Sequence, residues 1–284
     1  MKKKDLALDL LDMALARKGE PVALATALIA LDKLAQQQPT HAPTHYASGR
    51  VLMLLGKYQL AMGAFRIAAL HDPAMVDAHY FEGTCHWMLG FDQRALEKLG
   101  EVLRLDPTRA DAYYDAAQIL ANRGRHDRAL ELYEWAADLM PDDLGCQKKI
   151  LQCQIRLGLW EAASQTRAEI YAMRESDPAY TGMASFVCDQ FEIGDLDVVV
   201  VETFEPTGEP AVALSFVATE GGELVFTVNL ETSSAMRAAG FGWVLVAQRG
   251  DMRINTELTY AERPAYPAVR QDAQAVMRRL MAAP

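Results

Sequence analysis

Four residues able to bind a metal ion fall close together in the middle of the chain: His79, Glu82, Cys85 and His86. Residues three and four positions apart lie on one face of a helix, so this spacing could direct ligands toward a single transition-metal ion. Side chains on one face of a helix are also those that pack against a neighbouring helix. Interior packing is the favoured interpretation, and Cys146 and Cys153 are likewise predicted to be small buried residues. No metal ion is expected.

Two further patterns give weak signals for catalysis. Gly49 and Gly56-Lys57 are spaced too widely for a phosphate-binding loop, and no Ser or Thr follows the lysine. Glu202, Glu205 and Glu209 gather near a predicted turn, where a solvated rim is favoured over a catalytic pair. No Ser-His-Asp or Cys-His arrangement is visible, and residues 178–284 contain neither His nor Lys. The prediction is a protein that is not an enzyme and needs no cofactor.

Composition restricts the partners and the compartment. The chain has 284 residues, 51% of them hydrophobic, which is enough to bury a sizeable core. Its net charge of −10 argues against nucleic acid and against an anionic membrane surface. The four cysteines lack disulfide-like spacing, and there is no apolar run typical of a secretion signal or a membrane span. We expect a cytoplasmic protein.

The chain contains an internal repeat of 34 residues. Three residue types recur at that step: Pro39, Pro73, Pro107 and Pro141; Gly56, Gly90, Gly124 and Gly158; Ala27, Ala61, Ala95, Ala129 and Ala163. Each unit is predicted to form two helices, because glycine suits the left-handed end of the first helix and proline cannot continue the second. Small residues at Gly49, Gly83 and Ala117 indicate where the two helices approach closely.

These residues resemble the tetratricopeptide repeat family over residues 5–175. Units two to four carry the family's small residue, turn glycine, alanines and closing proline, with Phe65, Leu99 and Tyr133 at its aromatic or large apolar position. The outer units match less completely, as expected for ends that have one neighbour each. The resemblance implies a superhelical solenoid that binds a protein or peptide in a concave groove.

The resemblance also implies which positions line that groove. The residues carried over are Tyr46, Arg50, Met53, Tyr80, Thr84, Trp87, Tyr114, Gln118, Asn122, Lys148, Gln152 and Arg156. The three tyrosines in phase would supply rigid amphipathic rings to a partner. The alternative is that these rings fill the interior of each repeat.

The period changes from helical to alternating near residue 190. Five strands are predicted, at 196–204, 211–219, 224–230, 243–248 and 254–260, with turns at 206–210 and 250–251 and a closing helix at 267–281. A short helix or loop is expected at 233–239. Residues 176–192 are interpreted as a linker or a capping helix at 181–188. Short connections favour an antiparallel meander.

The chain is therefore predicted to be a two-domain α+β protein. A helical repeat solenoid would span residues 1–176, and an antiparallel β-meander of about five strands with a closing helix would span residues 190–284. The favoured function is a bacterial protein–protein interaction adaptor, and a homodimer is possible. Two alternatives stay open: a β domain that binds a small ligand or holds a minimal active site, and a groove occupied by the chain's own terminus or a second protomer.

Overall fold

The computed structural model describes residues 5–204, 211–234, 238 and 242–282. The chain divides into two compact units, Met1–Pro141 and Asp142–Pro284. The helical solenoid and the antiparallel sheet predicted from the sequence are both present. The predicted boundaries at residues 176 and 190 stay a prediction.

The first unit consists of helices joined by short connections. They are α1 (Leu6–Ala16), α2 (Pro21–Gln37), α3 (Ala42–Leu54), α4 (Tyr58–His71), α5 (Val76–Met88), α6 (Asp92–Leu105), α7 (Ala110–Asn122) and α8 (His126–Leu139). We call α3, α5 and α7 the first helices, because each opens one of the 34-residue pairs.

The turn inside each pair uses the predicted glycine. Gly56 has a φ of 70°, in the left-handed region that other residues avoid. The amide of Gly56 donates to the Met53 carbonyl at 2.9 Å, and the amide of Lys57 donates to the Leu52 carbonyl at 2.9 Å. This pair of bonds is a Schellman motif, which satisfies carbonyls that the helix end leaves free.

Small residues set the distance between the paired helices. A Cβ atom added to Gly49 would lie 2.6 Å from Cε1 of Phe65, so α3 and α4 can approach only because this position has no side chain. Phe65 is fully buried, as are Ala61 and Ala68 on the same helix. The 34-residue spacing of these residues therefore specifies the packing of each pair.

The second unit begins with another helix pair and continues into the sheet. Its elements are α9 (Leu144–Arg156), α10 (Trp160–Ser176), α11 (Pro178–Thr181), β1 (Ser185–Ile193), β2 (Leu196–Thr203), β3 (Ala211–Glu220), β4 (Glu223–Thr232), β5 (Trp243–Arg249), β6 (Met252–Tyr260) and α12 (Tyr266–Ala282). The strands pair antiparallel in chain order, so the sheet is a meander. The closing helix α12 is confirmed, with Val269, Ala273 and Met277 buried.

Strand β1 corrects the sequence-based prediction. Residues 185–193 form a strand, so neither a capping helix at 181–188 nor a linker as far as residue 192 is correct, and the described residues form a sheet of six strands where about five were predicted. The alternation is hidden because the pairing with β2 shifts between Val187 and Asp189, and because buried Asp189 stands where an apolar residue is expected. The predicted turn at 206–210 and most of the predicted segment at 233–239 lie outside the described residues.

Strand β6 ends the sheet with an irregular edge. Its pairing with β5 joins Val246 to Asn255 and Val244 to Thr259, so β6 has extra residues between these two points. Within them, Glu257 has a φ of 62°, an uncommon conformation for a residue with a side chain. The side-chain oxygen of Asn255 accepts a hydrogen bond from the Glu257 amide at 3.1 Å and holds this bend.

Candidate partner-binding surface and an arginine-lined pocket

Tyr46 and Arg50 of α3 meet the next first helix, α5. The Arg50 guanidinium donates to the Tyr46 hydroxyl at 2.9 Å and lies 4.1 Å from the centre of the Phe81 ring. The Tyr46 ring lies 6.0 Å from both Phe65 and Phe81, and only 9% of this tyrosine is exposed. Burial raises the pKa of the Tyr46 hydroxyl, which stays neutral. Tyr46 thus fills the interior of the repeats.

Tyr80 connects α5 to α7. Its hydroxyl donates to Asp115 at 2.7 Å, and burial together with that carboxylate raises the pKa of Tyr80. Burial also raises the pKa of Asp115, although the hydrogen bond from Tyr80 acts in the opposite direction. The Arg109 guanidinium lies 5.0 Å from the centre of the Tyr80 ring and donates to Asp77 at 2.7 Å and to Asp111 at 2.8 Å. An aromatic and charged cluster therefore joins these helices.

The other large side chains predicted for the groove are partly buried. The Tyr114 ring packs edge-on against Tyr133 of α8, with ring centres 5.4 Å apart. Trp87 packs against the apolar core formed with α6 and α7, and Met53 packs against the core that includes α3 and α4. The tyrosine row therefore combines interior packing with partial exposure.

The predicted polar residues lie on the same helices. The Thr84 hydroxyl donates to the Tyr80 carbonyl at 3.1 Å, within its own helix. Gln118 donates to the Asn122 side chain at 3.2 Å along α7, and Asn122 is exposed. These amide groups retain further donor and acceptor capacity for a partner.

The three predicted residues on α9 contact strand β1. The Lys148 ammonium lies 5.7 Å from the centre of the Phe186 ring, and the Gln152 amide donates to the Val187 carbonyl at 3.4 Å. The Arg156 guanidinium lies 3.7 Å from the carboxylate of Asp189. Positions that the family resemblance assigns to a groove thus face the chain's own sheet in the second unit.

Glu205 and Glu209 lie outside the described residues. Glu202 on β2 corrects the prediction of a solvated rim, because this residue is buried. Its side chain is 3% exposed and accepts three hydrogen bonds. Arg167 of α10 donates at 2.8 Å, Arg263 at 3.1 Å and the Tyr171 hydroxyl at 3.1 Å. Burial and the Glu202 charge raise the pKa of Tyr171 to about 12.

A pocket of about 490 Å³ lies beside this carboxylate. Its lining comes mainly from α10 and from the segment 263–267 that leads into α12. Trp160 and Tyr266 supply aromatic surface, with ring centres 6.4 Å apart. The volume is typical of sites for small molecules, and the polar groups that converge there are Glu202 and its two arginines.

A second buried carboxylate, Asp189, joins β1 to the closing helix. Its side chain is fully buried and accepts bonds from the Tyr266 hydroxyl and the Arg270 guanidinium, each at 2.8 Å. Burial raises the pKa of Tyr266, so this hydroxyl remains a donor. The network fixes α12 against the sheet.

The candidate metal ligands have other roles. A ring nitrogen of His79 donates to the Pro73 carbonyl at 3.1 Å, and His45 does the same to Pro39 at 2.7 Å, so histidine recurs here as part of the turn between repeats. Within the described part of the chain, no three His, Cys, Asp or Glu residues are arranged to hold a metal ion. Cys146 and Cys153 are buried thiols; burial raises their pKa values to about 12 and about 11.

Several site residues were not predicted from the sequence. Phe81 and Arg109 complete the row across the first helices, and Arg167, Arg263 and Tyr171 converge on Glu202. Arg109 lies 32 residues from Asp77, which is close to the length of one repeat. A search for opposite charges about one repeat apart could therefore have found it. The partners of Glu202 lie up to 61 residues away and follow no period.

Stacked helix pairs with a polar and aromatic row across their first helices define a helical-repeat solenoid. Residues 46–97 and 92–143 match the family model for the tetratricopeptide repeat. Residues 46–143 are therefore tetratricopeptide repeats, which confirms the resemblance there, while no family model matches the sheet.

Solved structures of MamA share the solenoid fold. One is 22% identical, covers 63% of this chain and 99% of its own, and has a TM-score of 0.56. MamA from Desulfovibrio magneticus RS-1 is 22% identical, covers 61% of this chain and 96% of its own, and has a TM-score of 0.54. A comparison with curated proteins finds no match. At these identities the similarity shows the fold alone.

Among the described residues, no helix combines the length and the apolar character that crossing a membrane requires.

Proposed function

We propose that this protein is an adaptor that binds a peptide or a partner protein on the surface formed by α3, α5 and α7. The observation that supports it best is the contact between consecutive first helices. Arg50 of α3 reaches Phe81 of α5, and Tyr80 of α5 reaches Asp115 of α7. A row that links three repeats can recognise an extended segment, which one helix pair is too short to do.

The chemistry of this row favours a partner with both apolar and polar groups. Arg50 and Arg109 carry positive charge, while Asp77, Asp111 and Asp115 carry carboxyl groups, so neither sign dominates. Half-buried rings supply contact area with little loss of side-chain entropy, because packing already restricts them. We expect specificity to come from shape and hydrogen bonds more than from net charge.

Nine residues of the first unit are predicted to contact a partner: Tyr46, Arg50, Met53, Tyr80, Thr84, Trp87, Tyr114, Gln118 and Asn122. The proposal keeps eight of them, because Tyr46 is buried and supports Arg50 from inside the repeats. Lys148, Gln152 and Arg156 have contacts with β1, so partner binding there would require these contacts to break. Among the nine, Asn122 is exposed and Arg50 and Gln118 are partly exposed, which makes them the best targets for substitution.

Selection from a library of displayed linear peptides tests the proposal directly. The full chain is immobilised, peptides are selected, and their dissociation constants are measured by calorimetry. The variant Arg50→Ala/Gln118→Ala/Asn122→Ala should weaken the selected peptides at least tenfold, because it removes their polar contacts.

The matched control is Gln93→Ala/Glu97→Ala, which removes an exposed polar pair from α6, a second helix. Control and wild type should bind alike, and circular dichroism should show all three proteins folded. Equal binding to wild type and to the triple variant would refute the proposed surface. Selection of no peptide at all would refute peptide binding.

A reducing compartment such as the bacterial cytoplasm belongs to the same proposal. Cys85, Cys153 and Cys188 are free thiols, all four cysteines are buried, and Cys188 lies fully inside the second unit. Free thiols support this location because oxidising compartments favour disulfides.

A further inference from the structure

The two arginines beside Glu202 have unused hydrogen-bonding capacity. A guanidinium carries five N–H donors, yet Arg167 and Arg263 each donate one bond to this carboxylate. The Nη2 atom of Arg167 is buried and makes no hydrogen bond with any of the described residues. Buried polar groups are normally paired, so this wall of the pocket lacks an acceptor.

The charge at the base of the pocket points to the same missing group. Two guanidinium ions face one buried carboxylate, which leaves an excess of one positive charge among these three groups; the Arg167 side chain is 19% exposed and that of Arg263 is 39% exposed. The other acid in the described lining, Glu161, is exposed on the first turn of α10, where water screens its charge. An anion would neutralise the excess and accept the free N–H groups.

The rest of the pocket is suited to an apolar body. Trp160 and Tyr266 present aromatic surface, and Pro264, Pro267 and Leu214 complete the apolar lining. The Arg167 guanidinium also lies 5.1 Å from the centre of the Tyr266 ring, so the anion site adjoins an aromatic face.

We propose that this pocket binds a small carboxylate that carries a flat apolar group, such as an aromatic acid. Its carboxylate would pair with Arg263 and Arg167, and its ring would lie against Trp160 and Tyr266. The site lies within the second unit and uses no residue of the partner-binding row, so this inference is independent of the proposed function.

Calorimetric titration of the full chain with defined probes tests the proposal. Phenylacetate and indole-3-acetate should bind at least tenfold more tightly than phenylacetamide, which lacks the charge. They should also bind at least tenfold more tightly than acetate and inorganic phosphate, which lack the apolar body. The variant Arg263→Gln should weaken phenylacetate at least tenfold, because it removes the more exposed arginine of the pair.

Arg253→Gln is the matched control. Arg253 also pairs with a buried glutamate, Glu231, at 2.6 Å, but it lies on β6 and does not line the pocket. This control should keep full affinity, and Arg167→Lys, which retains the charge but loses the fork of donors, should weaken phenylacetate as Arg263→Gln does. The proposal is overturned if no aromatic carboxylate binds at millimolar concentration, if the amide or phosphate binds equally well, or if Arg263→Gln and Arg253→Gln behave alike.

Discussion

The two units of this chain bury their polar groups in different ways. In the first unit, polar contacts join neighbouring helix pairs, as when Tyr80 reaches Asp115 35 residues away. In the second unit, fully buried carboxylates collect arginines from distant parts of the chain: Arg263 lies 61 residues from Glu202, and Arg270 lies 81 from Asp189. A repeat solenoid needs only contacts between neighbours, whereas a sheet with a closing helix depends on contacts that span the whole unit.

Loss of a fully buried charge from the second unit should therefore have the largest effect. Asp189→Ala should lower the free energy of unfolding by about 3 kcal/mol or more, because Arg270 and the Tyr266 hydroxyl lose their acceptor inside the protein. Asp77→Ala in the first unit should cost less than about 1 kcal/mol, since Arg109 is partly exposed and retains Asp111.

Urea denaturation gives both free energies, and hydrogen exchange of peptides from each unit shows where protection is lost. Equal losses from Asp189→Ala and Asp77→Ala would remove the distinction between the units.

The stability of the first unit should depend instead on side-chain volume between its paired helices. Gly49→Ala should cost about 1–3 kcal/mol, because the added methyl group would lie 2.6 Å from a ring carbon of Phe65. Gly63→Ala on the adjoining helix α4 should stabilise by about 0.5–1 kcal/mol, since no atom lies within 4 Å of the added group and alanine favours a helix. Thermal denaturation of the two variants should move in opposite directions; a loss from both would mean that close approach is not the cause.

Substitution of a turn glycine should have a similar effect on stability in both units. Gly90→Ala in the first unit and Gly158→Ala in the second should each cost about 1 kcal/mol, because their φ angles of 79° and 71° strain any side chain. Gly100→Ala, within α6 and with open space around it, serves as the control and should not destabilise. A much larger loss of stability for Gly158→Ala than for Gly90→Ala would show that the α9–α10 pair depends on long-range contacts, as the sheet does, more than on its own turn.

The smallest effect concerns Asp115, a carboxyl group that the first unit stabilises poorly. Burial raises the pKa of Asp115. Above pH 3.8, the ordinary pKa of this carboxyl group, the folded state therefore binds more protons than the unfolded state. Stability from this group is lost with rising pH through that window. Asp115→Asn should thus be modestly more stable than wild type at pH 7, with the difference vanishing near pH 3.

Asp106 should show the opposite dependence of stability on pH. The hydroxyl and amide of Thr108 donate to Asp106 at 2.7 and 3.0 Å and lower its pKa, so Asp106→Asn should be less stable than wild type at pH 7. Urea denaturation at pH 3, 5 and 7 follows both variants. A destabilised Asp115→Asn at pH 7 would contradict the assigned cause.

The difference between the two units, local contacts in one and long-range contacts in the other, explains how much could be predicted from the sequence. The repeats were predictable because Gly56 and its equivalents recur at one step and each controls a local turn. The closing helix and most strands were predictable from apolar periodicity. Strand β1 was not, because a register shift and buried Asp189 interrupt its alternation. The pocket was not, because acids such as Glu202 look solvated until the fold brings Arg167 and Arg263 to them.

The bend in β6 has a consequence for how molecules of this protein meet one another. A straight outermost strand offers a row of free amides and carbonyls onto which a strand of another molecule can add, the first step toward fibrils. Glu257, with its left-handed backbone, breaks that row and places a carboxylate within it. The sheet can therefore end in an open strand without becoming a template for self-assembly.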